Sequence, residues 1–325
     1  MHTIAELQSK IEKGLADLSF NSSPAELYEP IRYMLSLGGK RMRPVLVMMG
    51  CDIFNGTIEK AVPAALGIEL FHNFTLLHDD IMDKAPLRRS KQTVHEKWNV
   101  NTAILSGDAM FVKSFQLMMM TEDSIVKSIV DIFSRTAIEV CEGQQLDMNF
   151  EQRHDLCIGD YINMISCKTA VLLGASLQTG ALIAGAPVLD AQHLYNFGKN
   201  IGIAFQLQDD LLDVYGDKTK FGKQTGGDIL SDKKTFLFLK AMEALDEPSC
   251  RTLEHLYSKS SAISAGEKLE AVISLFDKAH IKQLAKDEML HFHNNALQHF
   301  AEVRLPAENK KPLLDFCENL MVREI

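Results

Sequence analysis

Two segments of this 325-residue chain end an apolar, helix-forming run in the same way: residues 71–83 read FHNFTLLHDDIMD and residues 205–213 read FQLQDDLLD. On a helix, residues three and four apart are neighbours, so Asp79 and Asp80 share a face with Asp83. Asp209, Asp210 and Asp213 repeat the arrangement. Like charges so placed repel, and each triplet precedes a breaker, Pro86 or Gly216, at the negative end of the helix macrodipole. A solvated helix end accounts for one such triplet, but two identical ones after apolar runs point to divalent cations. All-oxygen ligands select hard ions, and Mg²⁺ takes one or two carboxylates together with waters and phosphates.

The rest of the sequence supports a helical scaffold. Leu7, Ile11 and Leu15 fall on one face of a 3.6-residue repeat, as do Ile125, Ile129, Ile132 and Phe133. Alternating β-branched runs are scarce, and neither Asn-Gly nor Asp-Gly marks a hairpin between strand-like runs. No Ser/Gly/Pro-rich linker or low-complexity run divides the chain. The expectation is an all-α fold, a single domain over residues 1–325 with ten or more helices. Short insertions are expected near residues 84–100 and 216–235.

Composition narrows the function. With 34 Lys+Arg against 43 Asp+Glu, the formal charge is −9, which argues against nucleic acid as a partner. The six cysteines form no C-x-x-C pair and no zinc-like spacing, so free buried thiols in a reducing compartment are expected. No signal peptide is visible at the N-terminus. Residues 169–189 carry no charge, yet Ser176, Gln178, Thr179, three glycines and Pro187 interrupt them. A buried helix is expected there rather than a transmembrane segment.

Cations cluster in sequence around the aspartates. Lys40, Arg41 and Arg43 follow the Gly38-Gly39 turn. Arg88, Arg89 and Lys91 follow the first triplet, and Lys168-Thr169 opens the uncharged stretch. Lys218, Lys220, Lys223, Lys233 and Lys234 follow the second triplet. Each group alone reads as a solvated surface, and Gly38-Gly39 alone as a helix stop. Together they describe two anion sites, one neutralised through metal and one by Arg and Lys directly.

In this order — GGKRMRP, His72, DDIMD, LRRS, Glu142-Gly143-Gln144, Lys168-Thr169, FQLQDDLLD, FGKQTGGDILSDKKT — the motifs resemble those of the trans-isoprenyl diphosphate synthases, which include the farnesyl and geranylgeranyl diphosphate synthases. The resemblance covers nearly the whole chain. It implies a helical bundle around a deep central cavity, a cytoplasmic homodimer, and Mg²⁺ as cofactor, three ions per site, with Mn²⁺ able to substitute. Carried over, Asp79, Asp83 and Asp209 would hold the metal, supported by Asp80, Asp210 and Asp213. Arg88, Lys168, Gln206, Lys223 and Lys233 would bind an allylic diphosphate, and Thr169 and Gln206 would turn oxygen dipoles to the allylic cation. Lys40, Arg43, His72 and Arg89, with Arg41 beside them, would bind isopentenyl diphosphate.

The resemblance also places the pocket floor at Phe71, Phe74 and Thr75, just below the first triplet, and implies a C15–C20 product. Phe71 and Phe74 equally suit an ordinary core stripe. Two departures stand out: Ser90 replaces the glycine usual after Arg-Arg, and the C-terminus, Val322 to Ile325, lacks a basic tail. A class I terpene cyclase would share the helical fold but lack the GGKR-type anion site. A non-catalytic subunit of a heteromeric synthase would be expected to have lost aspartates. A di-iron bundle would need a second Glu-x-x-His pair beside Glu69 and His72.

Overall fold

Thr3 and Glu6 start the first helix reciprocally: the Glu6 amide donates to the Thr3 hydroxyl at 3.3 Å and the Thr3 amide to Glu6 Oε2 at 2.7 Å, a capping box that satisfies two end amides. This helix, α1 (Ile4–Asp17), buries Leu7, Ile11 and Leu15, as the spacing predicts. The computed structural model describes residues 1–216, 226–258 and 263–321, and Lys218, Lys220, Lys223 and residues 322–325 lie outside these.

The contacts divide the chain into two compact units. The first comprises residues 1–137, 172–195 and 303–310. It holds α1, α2 (Ala25–Ser36), α3 (Met42–Asp52) and α4 (Ile58–Met82). A two-residue-strand hairpin, β1 (Leu87–Arg88) with β2 (Lys91–Gln92), leads into α5 (Val94–Lys97) and α6 (Val100–Met118). Ala61, Ala64, Ala65, Ile68, Leu70 and Phe71 of α4 are all buried, which makes it a central helix covered by α3 and α6. Each fully buried Leu, Ile or Phe contributes about 1.5–3 kcal/mol to holding it there. The uncharged stretch is α9 (Val171–Ile183), with Leu172, Leu173, Ala175 and Leu177 buried. Among the described residues no helix is long and apolar enough to cross a membrane.

The second unit comprises residues 138–171, 196–302 and 311–325. The helices α7 (Val126–Phe150) and α10 (Val188–Tyr215) each run from one unit into the other. Between them in sequence come α8 (Ile158–Ile165) and a π-helical turn over Ser166–Ala170 that leads into α9. After α10 follow α11 (Gly227–Leu230), α12 (Phe236–Ala244), α13 (Glu247–Leu256), α14 (Ala265–Lys278), α15 (Ile281–Glu302) and α16 (Ala307–Met321). Tyr161, Ile165, Leu207, Leu211, Phe236 and Phe276 belong to one buried core of this unit. The architecture is all-α, as expected. All six cysteines are free thiols, but only Cys51 and Cys317 are buried; Cys141 and Cys157 are exposed, and Cys167 and Cys250 are half-buried.

Candidate active site

The first aspartate triplet closes α4, with Asp83 as its C-cap. The three carboxylates differ in setting. Asp80 is 2% exposed and accepts Arg88 Nε on both oxygens, at 2.9 Å each. Asp79 is half-buried, with Arg88 Nη2 3.9 Å from its Oδ2, and Asp83 is exposed. Burial raises the Asp80 carboxyl's pKa while the Arg88 bond opposes that rise. Asp80, expected among the metal ligands, holds Arg88 in place.

Arg88 ends β1, and the hairpin turns through Arg89 and Ser90, both left-handed at φ 52 and 63. Two successive positive φ angles make a type I′ turn, whose twist matches the flanking strands. Ser90 therefore stands where glycine would bear no steric cost; for an L-residue the left-handed form costs about 1 kcal/mol. The turn lays Arg89 against Gly39: a Cβ on Gly39 would meet the Arg89 guanidinium at 2.9 Å, and the glycine's own φ is 148. Gly38, at φ 76, follows the end of α2, and Gly39 alone makes room for Arg89.

Four guanidinium groups act on His72, seven residues ahead of Asp79 on α4. Burial first, then the charges of Arg43, Arg89, Arg88 and Arg41, push its pKa well below the ordinary value, so the ring is neutral. Arg43 Nη1 lies 3.1 Å from His72 Nε2, and the neutral ring accepts from it. Burial brings Arg43 down to about 10, still charged at neutral pH. Arg88 is matched by Asp80, and Arg41 by Glu12 and Glu69 at 2.8 and 2.7 Å. Among the described residues no carboxylate pairs with Lys40, Arg43 or Arg89 within 4 Å. Glu69 acts on Arg43 and Arg89 through its charge without pairing with either, so the cluster around His72 stays net cationic. Arg41, expected beside the isopentenyl diphosphate ligands, is 5% exposed and held by protein acceptors.

At the expected floor, Phe71 is fully buried and Phe74 half-buried. Phe74 stacks on Phe111 with centroids 5.0 Å apart and planes at 21°. Phe71 meets Phe133 edge-on at 5.2 Å, and Phe115 joins the same cluster. Thr75 donates its hydroxyl back to the His72 carbonyl at 2.8 Å. Phe111 and Phe115 escaped the sequence reading, although their i,i+4 spacing on α6 was there to be seen.

In the second unit, Asp210 is 3% exposed and accepts the Tyr161 hydroxyl at 2.5 Å and Gln206 Nε2 at 3.4 Å. Burial pushes its carboxyl up to about 8 against those bonds, so Asp210, like Asp80, is held by the protein. Asp213 accepts the Asp228 amide at 3.0 Å and anchors α11. Asp209 is half-buried. Lys233, exposed, lies 4.0 Å from Asp228 Oδ1.

Lys168 and Thr169 sit in the π-helical turn, a feature frequent at functional sites. Lys168 Nζ is 2.5 Å from Asp147 Oδ2. A Cβ on Gly143 would stand 2.2 Å from the Lys168 amide nitrogen, so α7 reaches the turn only because residue 143 is glycine. Asp147 also escaped the sequence reading; it lies four residues after Gly143, on the same face of α7. Tyr161 carried no signal in sequence.

The donor set fits Mg²⁺ as a shared-shell ion. The expected ligands are carboxylate oxygens, and among the described residues no three His, Cys, Asp or Glu groups form a complete metal site by themselves. An ion that keeps waters and binds substrate phosphates needs no closed cage.

The polyprenyl synthetase family profile matches residues 24–276. A geranylgeranyl diphosphate synthase of Methanosarcina mazei is 36% identical over 307 residues, covering 87% of this chain and 95% of that one. One of Sulfolobus acidocaldarius is 38% identical over 301 residues, 90% of each. The crystal structure of a geranylgeranyl pyrophosphate synthase superposes with a TM-score of 0.94 at 42% identity, covering 100% of both chains. The chain belongs to the polyprenyl synthetase family, as a short-chain prenyltransferase that elongates prenyl diphosphates.

Proposed function

We propose that the chain joins isopentenyl diphosphate head to tail to an allylic diphosphate — dimethylallyl, geranyl or farnesyl — and releases a C20 trans-prenyl diphosphate and free diphosphate. The observation that carries this reading is that Arg43 and Arg89, neither ion-paired with a carboxylate among the described residues, act on neutral His72, seven residues ahead of Asp79 on α4. A cyclase needs one diphosphate site; a condensing enzyme needs two.

Asp79, Asp83, Asp209 and Asp213 would hold Mg²⁺, which when bound supplies positive charge to the allylic diphosphate. Arg88, oriented by Asp80, and Lys168, oriented by Asp147, grip that diphosphate, with Lys223 and Lys233 completing its neutralisation. Charge built in advance stabilises the leaving group as the allylic C–O bond breaks and the diphosphate departs with the electron pair. Lys40, Arg43 and Arg89 hold the second substrate so that its double bond attacks the allylic carbon, and proximity lowers that barrier. A new C–C bond forms, and the proton lost from the isopentenyl unit passes to the departing diphosphate. Thr169 and Gln206 face the transient cation with oxygen dipoles. Phe74, stacked on Phe111, closes the pocket at C20, the length named in the relatives above.

The protein acts in the cytoplasm as a homodimer. Leu105, Val112 and Met119 of the α6 region are each about 60% exposed, an apolar face that a second copy would cover. Incubation with Mg²⁺, isopentenyl diphosphate and each allylic diphosphate in turn tests the reaction. Diphosphate release with at least one pair is expected, and release with none would refute it.

A further inference from the structure

Glu69 lies on α4, three residues ahead of His72, and is 3% exposed. A buried carboxylate survives only when paired and hydrogen-bonded. Arg41 Nη1 donates to its Oε1 at 2.7 Å, and Asn73 Nδ2 to the same oxygen at 2.9 Å. Asn73, 1% exposed, also donates to the Glu69 carbonyl at 2.8 Å. Arg41 in turn gives Nε to Glu12 at 2.8 Å and Nη2 to the Leu35 carbonyl at 2.9 Å.

Arg41 heads α3 in a left-handed conformation, φ 50 and ψ 35, with no side-chain cap. A non-glycine residue keeps that geometry where its surroundings over-determine it, and the three acceptors of its guanidinium do so. The left-handed residue stands between Lys40 and Arg43, so its backbone directs both. On the other side, Asn73 is the next residue after His72. One carboxylate therefore ties the start of α3 to the turn of α4 that carries the imidazole.

We propose that Glu69 is a positioning residue of the isopentenyl diphosphate half-site, clamping Arg41 and Asn73 so that Arg43 and His72 meet where the anion is held. This rests on the assignment of Lys40, Arg43, His72 and Arg89 to that half-site. A clamp and a mere counter-charge make opposite predictions. Removing a negative charge from a cationic pocket strengthens anion binding, whereas releasing the clamp weakens it.

The test is steady-state kinetics with isopentenyl and geranyl diphosphate varied separately. The proteins are wild type, Glu69→Gln, Arg41→Lys, Asn73→Ala and the Glu69→Gln/Arg41→Lys double variant. Gln keeps an acceptor oxygen but loses the charge; Lys keeps the charge but loses the fork. The expected result is a KM for isopentenyl diphosphate raised about tenfold in Glu69→Gln and Arg41→Lys, with that for geranyl diphosphate within about twofold of wild type. Asn73→Ala leaves the Arg41–Glu69 pair in place, so it reports even where Glu69→Gln fails to fold; a rise in the same direction is expected. The double variant should be no worse than the worse single, because coupled residues are non-additive. An isopentenyl diphosphate KM unchanged or lowered in the folded variants, or both KM values raised alike, would overturn the proposal alone. A wild type that releases no diphosphate from isopentenyl diphosphate with dimethylallyl, geranyl or farnesyl diphosphate would overturn the functional reading and this proposal with it.

Discussion

Arg88 holds the Asp80 carboxylate with its Nε 2.9 Å from both oxygens and its Nη2 2.8 Å from Oδ1. Asp79 and Asp80 are neighbours in sequence, but the pair separates their roles. Asp80→Asn removes the charge that fixes Arg88 and leaves a half-buried guanidinium without its partner, at a cost of about 3 kcal/mol in stability. Asp79→Ala loses only the longer, 3.9 Å contact of Arg88 with a half-buried carboxylate. The expectation is lost turnover in both variants with the larger drop in Tm in Asp80→Asn. Thermal unfolding of the two variants beside wild type checks it; equal Tm values would show that Asp80 does not hold the hairpin.

Much of this was legible in sequence. The triplets, the cations and His72 announced themselves by spacing, and the uncharged stretch announced a buried helix by its small residues. What remained hidden depends on tertiary contact. Nothing in the order GGKRMRP shows that Arg43 meets His72 while Arg41 turns to Glu69 and Glu12. Tyr161 is 49 residues from Asp210, and no local pattern pairs them. Two-residue strands leave no alternation to read, so the hairpin at Leu87–Gln92 appeared only as an insertion.

Gly143→Ala tests the packing behind Lys168. The added methyl would stand 2.2 Å from the Lys168 amide nitrogen and 2.6 Å from its Cα, so backbone must move. Overpacking of this kind costs about 1–3 kcal/mol, and the π-helical turn shifts with it. The expected outcome is a lowered Tm and a loss of turnover of at least about tenfold, as misplaced catalytic groups give. Turnover and Tm both at wild-type values would show that the close approach does not matter.

The aromatic cluster joins half-buried rings to wholly buried ones, and the proposed floor predicts different outcomes for the two. Phe74 and Phe111 are half-buried and stacked on each other, whereas Phe71 is wholly buried against Phe133. Phe74→Ala and Phe111→Ala should lengthen the products, read by chromatography of the dephosphorylated alcohols. Phe71→Ala should instead lower stability by about 3–5 kcal/mol, read by denaturant unfolding. Unchanged product length in both Phe74→Ala and Phe111→Ala would remove them from the floor.

His72 makes a prediction about pH. Burial and four arginines keep its folded pKa well below the ordinary value, whereas the unfolded ring titrates near 6.5. Below that pH the unfolded chain binds a proton that the folded chain refuses. The stability contribution is therefore present above about 6.5 and lost as pH falls, by up to about 1.4 kcal/mol per unit. Wild type should lose more stability between pH 7 and pH 5 than His72→Gln does, measured by urea unfolding. Parallel profiles would mean that the ring is not held neutral.

If two diphosphate sites serve one condensation, the product itself shows it. Labelled isopentenyl diphosphate with farnesyl diphosphate and Mg²⁺ should give a single C20 diphosphate, with one diphosphate released for each bond formed. A cyclised hydrocarbon, or unreacted isopentenyl diphosphate with every allylic partner, would contradict the account.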